Sequence, residues 1–193
     1  MNAHETALHQ TALWWARIRA AGPQLVDADG PTPPGLMRLA EPGGSRVWLT
    51  TVLPGGAGPA VLDELDLPRP VLEQPNDTAR VLAAVLKSCW LDPSGPLWPG
   101  ATAPFGQIVA TFEALTGHDE VVSHRAVVAA VRRLSWSGWL LWDEQTRTVR
   151  LGPRVATWAA TELSTLRELW RSIPVPDKAA VRDTETEMDG DTS

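Results

Sequence analysis

The 193-residue sequence has no tyrosine, two phenylalanines and a single cysteine. One thiol, Cys89, cannot form an intrachain disulfide, so a reducing compartment is the expectation. No stretch reaches the roughly 18 consecutive apolar residues that a membrane span needs. The N-terminus lacks the basic region, apolar run and small-residue cleavage site of a secretory signal. A cytoplasmic protein without membrane contact is therefore expected. Lysine is scarce: of 17 basic residues only Lys87 and Lys178 are lysines. A GC-rich genome would bias codons that way, so the excess of arginine carries no functional reading of its own.

Patterns that carry chemistry are also missing. Gly55-Gly-Ala-Gly58 is too short for a phosphate loop and is not followed by Lys-Ser or Lys-Thr. In His4-Glu5-Thr-Ala-Leu-His9 the histidines are one residue too far apart for a zinc-protease helix. Five residues turn a helix through about 500°, which splays them by about 140°. His118 and His124 lie near Asp119 and Glu120 with no second cysteine or third close ligand. Cys89 falls in an apolar helical stripe, where a thiol packs rather than attacks. Ser123 and His124 are neighbours in sequence, which sets no catalytic geometry. No catalytic residue, metal ligand or cofactor is expected, and the chain does not read as an enzyme.

What is present is enough apolar residue for a core, 44%, and ten tryptophans. The length suits one domain with an appendage. Asn2 and Glu5 have the capping-box spacing, and Leu8, Thr11, Ala12, Trp15 and Ile18 share a face up to Gly22-Pro23. Gln24–Gly35 reads as loop. Leu36–Ala40 and Arg46–Leu53 read as strands around Glu41-Pro-Gly-Gly-Ser45. Pro54–Asn76 is irregular, with one helical turn near Val61–Leu65. Asn76 or Asp77 caps a helix to about Trp90, with Ala79, Leu82, Leu86 and Cys89 inward. Leu91–Pro104 is a loop. Gly106–Thr116 forms a helix stopped by Gly117. Ser123 caps a second, to Ser137, with Val127, Ala130, Val131 and Leu134 inward. Trp139–Trp142 and Thr148–Leu151 form a hairpin. One last helix runs from Pro153 to Ile173. These elements divide the chain into an appendage (1–75), a central domain (76–173) and an acidic tail (174–193) expected to be disordered.

The net charge of −6 disfavours nucleic acid, but the charge is unevenly spread. Ser123–Arg154 holds six arginines against Asp143 and Glu144. Pro174–Ser193 holds Lys178 and Arg182 against six acids. Local charge outweighs the total over a Debye length of about 8–10 Å.

The run Val127-Val-Ala-Ala-Val-Arg-Arg-Leu134, followed by Ser-Trp-Ser-Gly138-Trp-Leu, resembles the winged helix-turn-helix superfamily of bacterial regulators. The resemblance covers about half the chain and implies a mainly α, α+β fold: a winged helix-turn-helix core with an N-terminal helix and β-hairpin appendage. It departs from the pattern in a longer inter-helix segment, Gly117–Val122, and in Trp136 and Trp142, where relatives carry polar residues. The implied function is non-enzymatic double-stranded DNA binding by a dimeric transcriptional regulator. With the second helix in a major groove, His124, Arg125, Val128, Ala129 and Arg132 would face outward, and Arg125 near the helix start would reach a base edge. Arg132 and Arg133 would lie along phosphates, Arg147, Arg150 and Arg154 would contact backbone phosphate or the minor groove, and Ser123 with the helix N-terminus would donate to a phosphate. Trp14, Trp15 and Trp170 would build a homodimer interface. The alternative is a protein-docking subunit of a larger complex, of the chromosome-organising or defence ATPase type, with Trp136 and Trp142 at the contact.

Overall fold

A computed structural model describes residues 2–52, 76–158 and 160–175. Most of the irregular stretch that begins at Pro54, including its helical turn, lies outside these residues, as does the acidic tail beyond Val175. The described residues form an α+β structure of five helices and two three-stranded antiparallel sheets.

Helix α1 (Ala3–Ala21) begins with the expected capping box. Asn2 Oδ1 accepts from the Glu5 amide and Glu5 Oε2 from the Asn2 amide, both at 2.8 Å. Its inward stripe is shorter than the apolar spacing predicts. Leu8 and Ala12 are exposed, whereas Ile18 is buried against Leu36 and Leu49 with Trp14 and Trp15 half-buried beside it. A strand, β1 (Gln24–Asp27), stands where proline and glycine content predicts loop. It pairs with β3 (Arg46–Thr51), as does β2 (Leu36–Ala40), so β3 is central. Strand β3 is also covered on both faces, because the adjacent Leu49, Thr50 and Thr51 point to opposite sides and are all buried.

The second half is built around α2 (Asp77–Cys89), capped by Asn76 Oδ1 on the Ala79 amide at 2.9 Å. Helix α2 is buried almost all round rather than along one stripe, because it is packed on several sides. Its neighbours are α3 (Phe105–Thr116), α4 (Glu120–Trp136), α5 (Ala160–Ser172) and β6 (Thr148–Leu151). A two-residue strand, β4 (Ala103–Pro104), pairs with β6 on one side, and β5 (Leu140–Asp143) pairs on the other. Trp90, Phe105, Phe112, Leu134, Leu140 and Leu151 are fully buried in the shared core.

Two expected boundaries move. Helix α4 begins at Glu120, not Ser123: Asp119 is the N-cap and its Oδ1 accepts from the Val122 amide at 2.9 Å. Asp and Ser cap equally well, and burial decides between them. Ser123 is fully buried, so the inward face of the helix already includes it. With Gly117 at φ +69 closing α3, three residues remain between the helices, the length of a simple helix-turn-helix turn. The last helix is broken as well. A 3-10 turn covers Pro153–Thr157, and Trp158 leaves helical geometry to lie 4.9 Å from the ring of Trp139.

The halves are in contact. Gly138, at φ +77, sits where a Cβ would lie 2.9 Å from Pro23 Cδ, and Trp98 Nε1 donates to the Ala40 carbonyl at 3.1 Å. The revised cap is testable by urea denaturation. Asp119→Ala should cost about 1 kcal/mol. Ser123→Ala should be neutral or stabilising, because the Ser123 hydroxyl is buried with no hydrogen-bond partner among the described residues. A larger loss from Ser123→Ala would return the cap to that residue.

Candidate macromolecular interface

Helix α4 and the β5–β6 hairpin carry most of the residues expected to contact a macromolecule. Along α4, Val121, Arg125, Val128, Arg132 and Trp136 fall within an arc of about 80°, over about 22 Å of helix. Val121 is 61% and Trp136 88% exposed. His124 is exposed beside this stripe, 5.5 Å edge-on from the Phe105 ring.

The arginines divide into two groups. Arg125, Arg132, Arg133 and Arg147 have exposed side chains. Arg132 lies 3.5 Å from Glu144, Arg133 donates to Thr78 Oγ1 at 2.8 Å, and Arg147 lies over the Phe105 ring at 5.5 Å. Among the described residues Arg125 has neither a hydrogen bond nor an ion pair. Arg150 and Arg154 are drawn inward. Arg150 pairs with Glu41, each side chain 21% exposed. Arg154 lies over Trp139 at 5.6 Å, and burial pushes its pKa down to about 10, which leaves it charged at neutral pH. Ser123, being buried, cannot reach a phosphate.

This placement changes the local charge. Because α4 starts three residues earlier, Asp119 and Glu120 open it. The exposed cations Arg125, Arg132, Arg133 and Arg147 are then matched by the exposed acids Asp119, Glu120, Asp143 and Glu144. Arg150 is cancelled by Glu41 and Arg154 stays charged, so a strip that counts +4 along the chain comes to +1 in space, six arginines against five acids.

The expected interface tryptophans divide too. Trp14 and Trp15 lie on the N-terminal sheet, Trp15 donating to the Pro34 carbonyl at 3.3 Å. Lys87 Nζ is 3.7 Å from the Trp170 ring centre, and burial lowers the Lys87 pKa. Trp142 is half-buried, edge-on to Phe105 at 4.7 Å. Of the five, Trp136 alone is fully open to solvent. The remaining thiol, Cys89, is buried, and burial pushes its pKa up to about 12, consistent with a packing role.

A feature that sequence reasoning missed lies between the two sheets. Directly paired residues share a sheet face, so Leu25 and Trp48 project together from the N-terminal sheet, and Leu141 and Arg150 from the hairpin. These residues, with Glu41, Trp142 and Asp143, line an open cleft of about 420 Å3. Glu41 anchors it, its Oε1 accepting from Arg150 and its Oε2 from Trp48 Nε1 at 2.6 Å. Glu41 and Arg150 are 109 residues apart, and no local pattern links them.

Glu113, at the end of α3, is held above the usual carboxylate range by burial first and by the negative charges of Glu120 and Asp119 second. A carboxylate raised in the fold binds protons more readily there than in the unfolded chain. Stability is therefore lost as pH rises through its titration. Glu113→Gln should stabilise the protein at pH 7 by on the order of 0.5 kcal/mol, the size of one exposed like-charge contact. The gain should vanish once acid protonates Glu113 in both states. Thermal melts of both proteins across acidic to neutral pH check this, and a gain that persists in acid would refute it.

Among the described residues, no helix is long and apolar enough to cross a membrane. No family model, curated protein or solved structure matches the chain.

Proposed function

We propose that residues 76–173 form a winged helix-turn-helix used mainly to dock another protein, with the outward stripe of α4 as the contact. The order of elements supports the fold reading: helix, short strand, two helices across a three-residue turn, then a hairpin. The observation that carries the docking reading is Trp136, 88% exposed on the same side of α4 as the exposed Val121. Aromatic residues and arginine are enriched at protein contacts. The stripe combines apolar side chains with Arg125 and Arg132. It therefore fits an apolar groove edged by carboxylates on the partner.

The test is co-purification of the full chain with the product of a neighbouring gene. Trp136→Glu should abolish the complex, or weaken it at least about thirtyfold, the loss expected of a hot spot. Far-UV circular dichroism and Tm should not change. A complex that survives Trp136→Glu overturns the reading.

DNA binding is the second reading, favoured by the exposed Arg125, Arg132, Arg133 and Arg147 around the helix-turn-helix. Four phosphate-contacting cations limit the slope of log affinity against log salt to about −3.6. Fluorescence polarisation with generic duplex at about 50 mM salt should show binding that Arg125→Ala and Arg132→Ala weaken. Failure to bind, or indifference to both changes, removes this reading and leaves protein docking in place.

A further inference from the structure

A sequence feature that the docking reading does not use is the acidic tail. From Asp183 to Asp191 an acid stands at every second position (Asp183, Glu185, Glu187, Asp189 and Asp191), with no cation among them. Wherever a chain runs extended, alternate residues project to one side. A run of this kind then lines up its carboxylates about 7 Å apart.

Helix α4 offers the opposite charge. Its acids stand at its start, Asp119 at the cap and Glu120 in the first turn. From Val121 to Trp136 it carries Arg125, Arg132 and Arg133 and no acid. All three arginines are exposed. Among the described residues Arg125 has neither a hydrogen bond nor an ion pair. Arg132 lies 3.5 Å from Glu144, with both side chains exposed. A pair so open to water is held weakly, so a second carboxylate can compete with Glu144.

The tail starts within reach of this surface. Near the end of α5, the Trp170 carbonyl accepts from Lys87 Nζ at 3.0 Å, and Arg133 donates to Thr78 Oγ1 at 2.8 Å. Thr78 and Lys87 stand towards opposite ends of α2, a rise of about 13.5 Å apart. The described chain ends just past α5 at Val175, whose side chain is exposed. From Val175 to Asp183 the chain spans up to about 29 Å, and from there to Asp191 up to about 29 Å more. A segment tethered at such range acts at roughly millimolar local concentration.

We propose that the run Asp183–Asp191 folds back on the α4 stripe of its own chain, its carboxylates on Arg125, Arg132 and Arg133, and shields Trp136 until a partner displaces it. The displacement rests on the docking reading; the contact within the free chain does not.

Thr186→Cys, made in the full chain, places a nitroxide label inside the acidic run without altering its charge. Cys89 is buried and stays unlabelled. The readout is the indole N–H signal of Trp136 in heteronuclear NMR, identified by its absence from Trp136→Phe. Paramagnetic broadening of that signal at low salt should fall at least about threefold at about 1 M salt, where the Debye length is about 3 Å. Replacing the acids by their amides (Asp183→Asn, Glu185→Gln, Glu187→Gln, Asp189→Asn, Asp191→Asn) should bring the same fall at low salt. Arg125→Glu with Arg132→Glu should do so from the other side, with circular dichroism unchanged. Three outcomes would overturn the proposal. They are no broadening of Trp136 at low salt, broadening that salt leaves unchanged, and broadening that survives the amide changes. Each can occur while Trp136→Glu still abolishes the complex with a partner, so failure here is distinct from failure of the docking reading.

Discussion

Glu41 and Arg150 are far apart in the chain, and their ion pair fixes how its two halves meet. The contact closes a ring of interactions. Trp98 donates to the carbonyl of Ala40, Arg150 lies over the Trp98 ring at 5.6 Å, and Glu41 accepts from both Arg150 and Trp48. Removing either charge would leave the other half-buried and unmatched, which costs more than losing an exposed pair. Burial accordingly lowers the Arg150 pKa. The same pair has two consequences elsewhere. It withdraws a cation from the surface available to phosphate, and it sets the N-terminal sheet over the outer face of the hairpin, leaving the cleft between them.

Local signals in the sequence placed most of the elements. The Asn2–Glu5 capping box, Asn76 as a cap, Gly117 at the end of α3 and the β6 strand at Thr148–Leu151 each depend on residues within a few positions of one another. The misplacements share a cause, which is competition from distant contacts. Asp119 and Ser123 are equally good caps by residue type, and burial of Ser123 against the core separates them. Strand β1 lies among prolines and glycines and exists through its pairing with β3, some twenty residues on. Strand β4 is two residues long and gains its identity from β6. Trp158 breaks an otherwise helical pattern to pack against Trp139.

The exposure of Arg125, Arg132 and Arg133 along one helix was legible in the sequence, and the charge around them was not. Counting along the chain from Ser123 includes Arg150 and Arg154 and omits Asp119 and Glu120. A three-residue shift in one helix start, with Arg150 cancelled by Glu41, lowers the net charge of the strip from +4 to +1. Counterion release scales with the number of phosphates neutralised, so this shift weakens the nucleic-acid reading directly. It leaves the apolar part of the helix surface untouched.

That apolar part then has to be weighed against ordinary surfaces, where scattered exposed hydrophobic residues are common. A lone exposed tryptophan would mean little. In this chain most tryptophans are not left that way. Trp90, Trp139 and Trp158 are buried, and Trp14, Trp98 and Trp170 are half-buried beneath a cation. Trp136 departs from that habit, and it does so on the same helical arc as the exposed Val121, about 22 Å along the helix. Leu134, two residues before it, is fully buried, so α4 is firmly seated there and presents Trp136 from a fixed backbone. A rigid helix that holds an aromatic side chain outward, with arginines and acids at intervals, supports the proposed protein contact. Displacing water from Trp136 and Val121 would supply the driving force. The arginines would then select which apolar surface is accepted, since a partner without carboxylates would have to bury Arg125 unpaired.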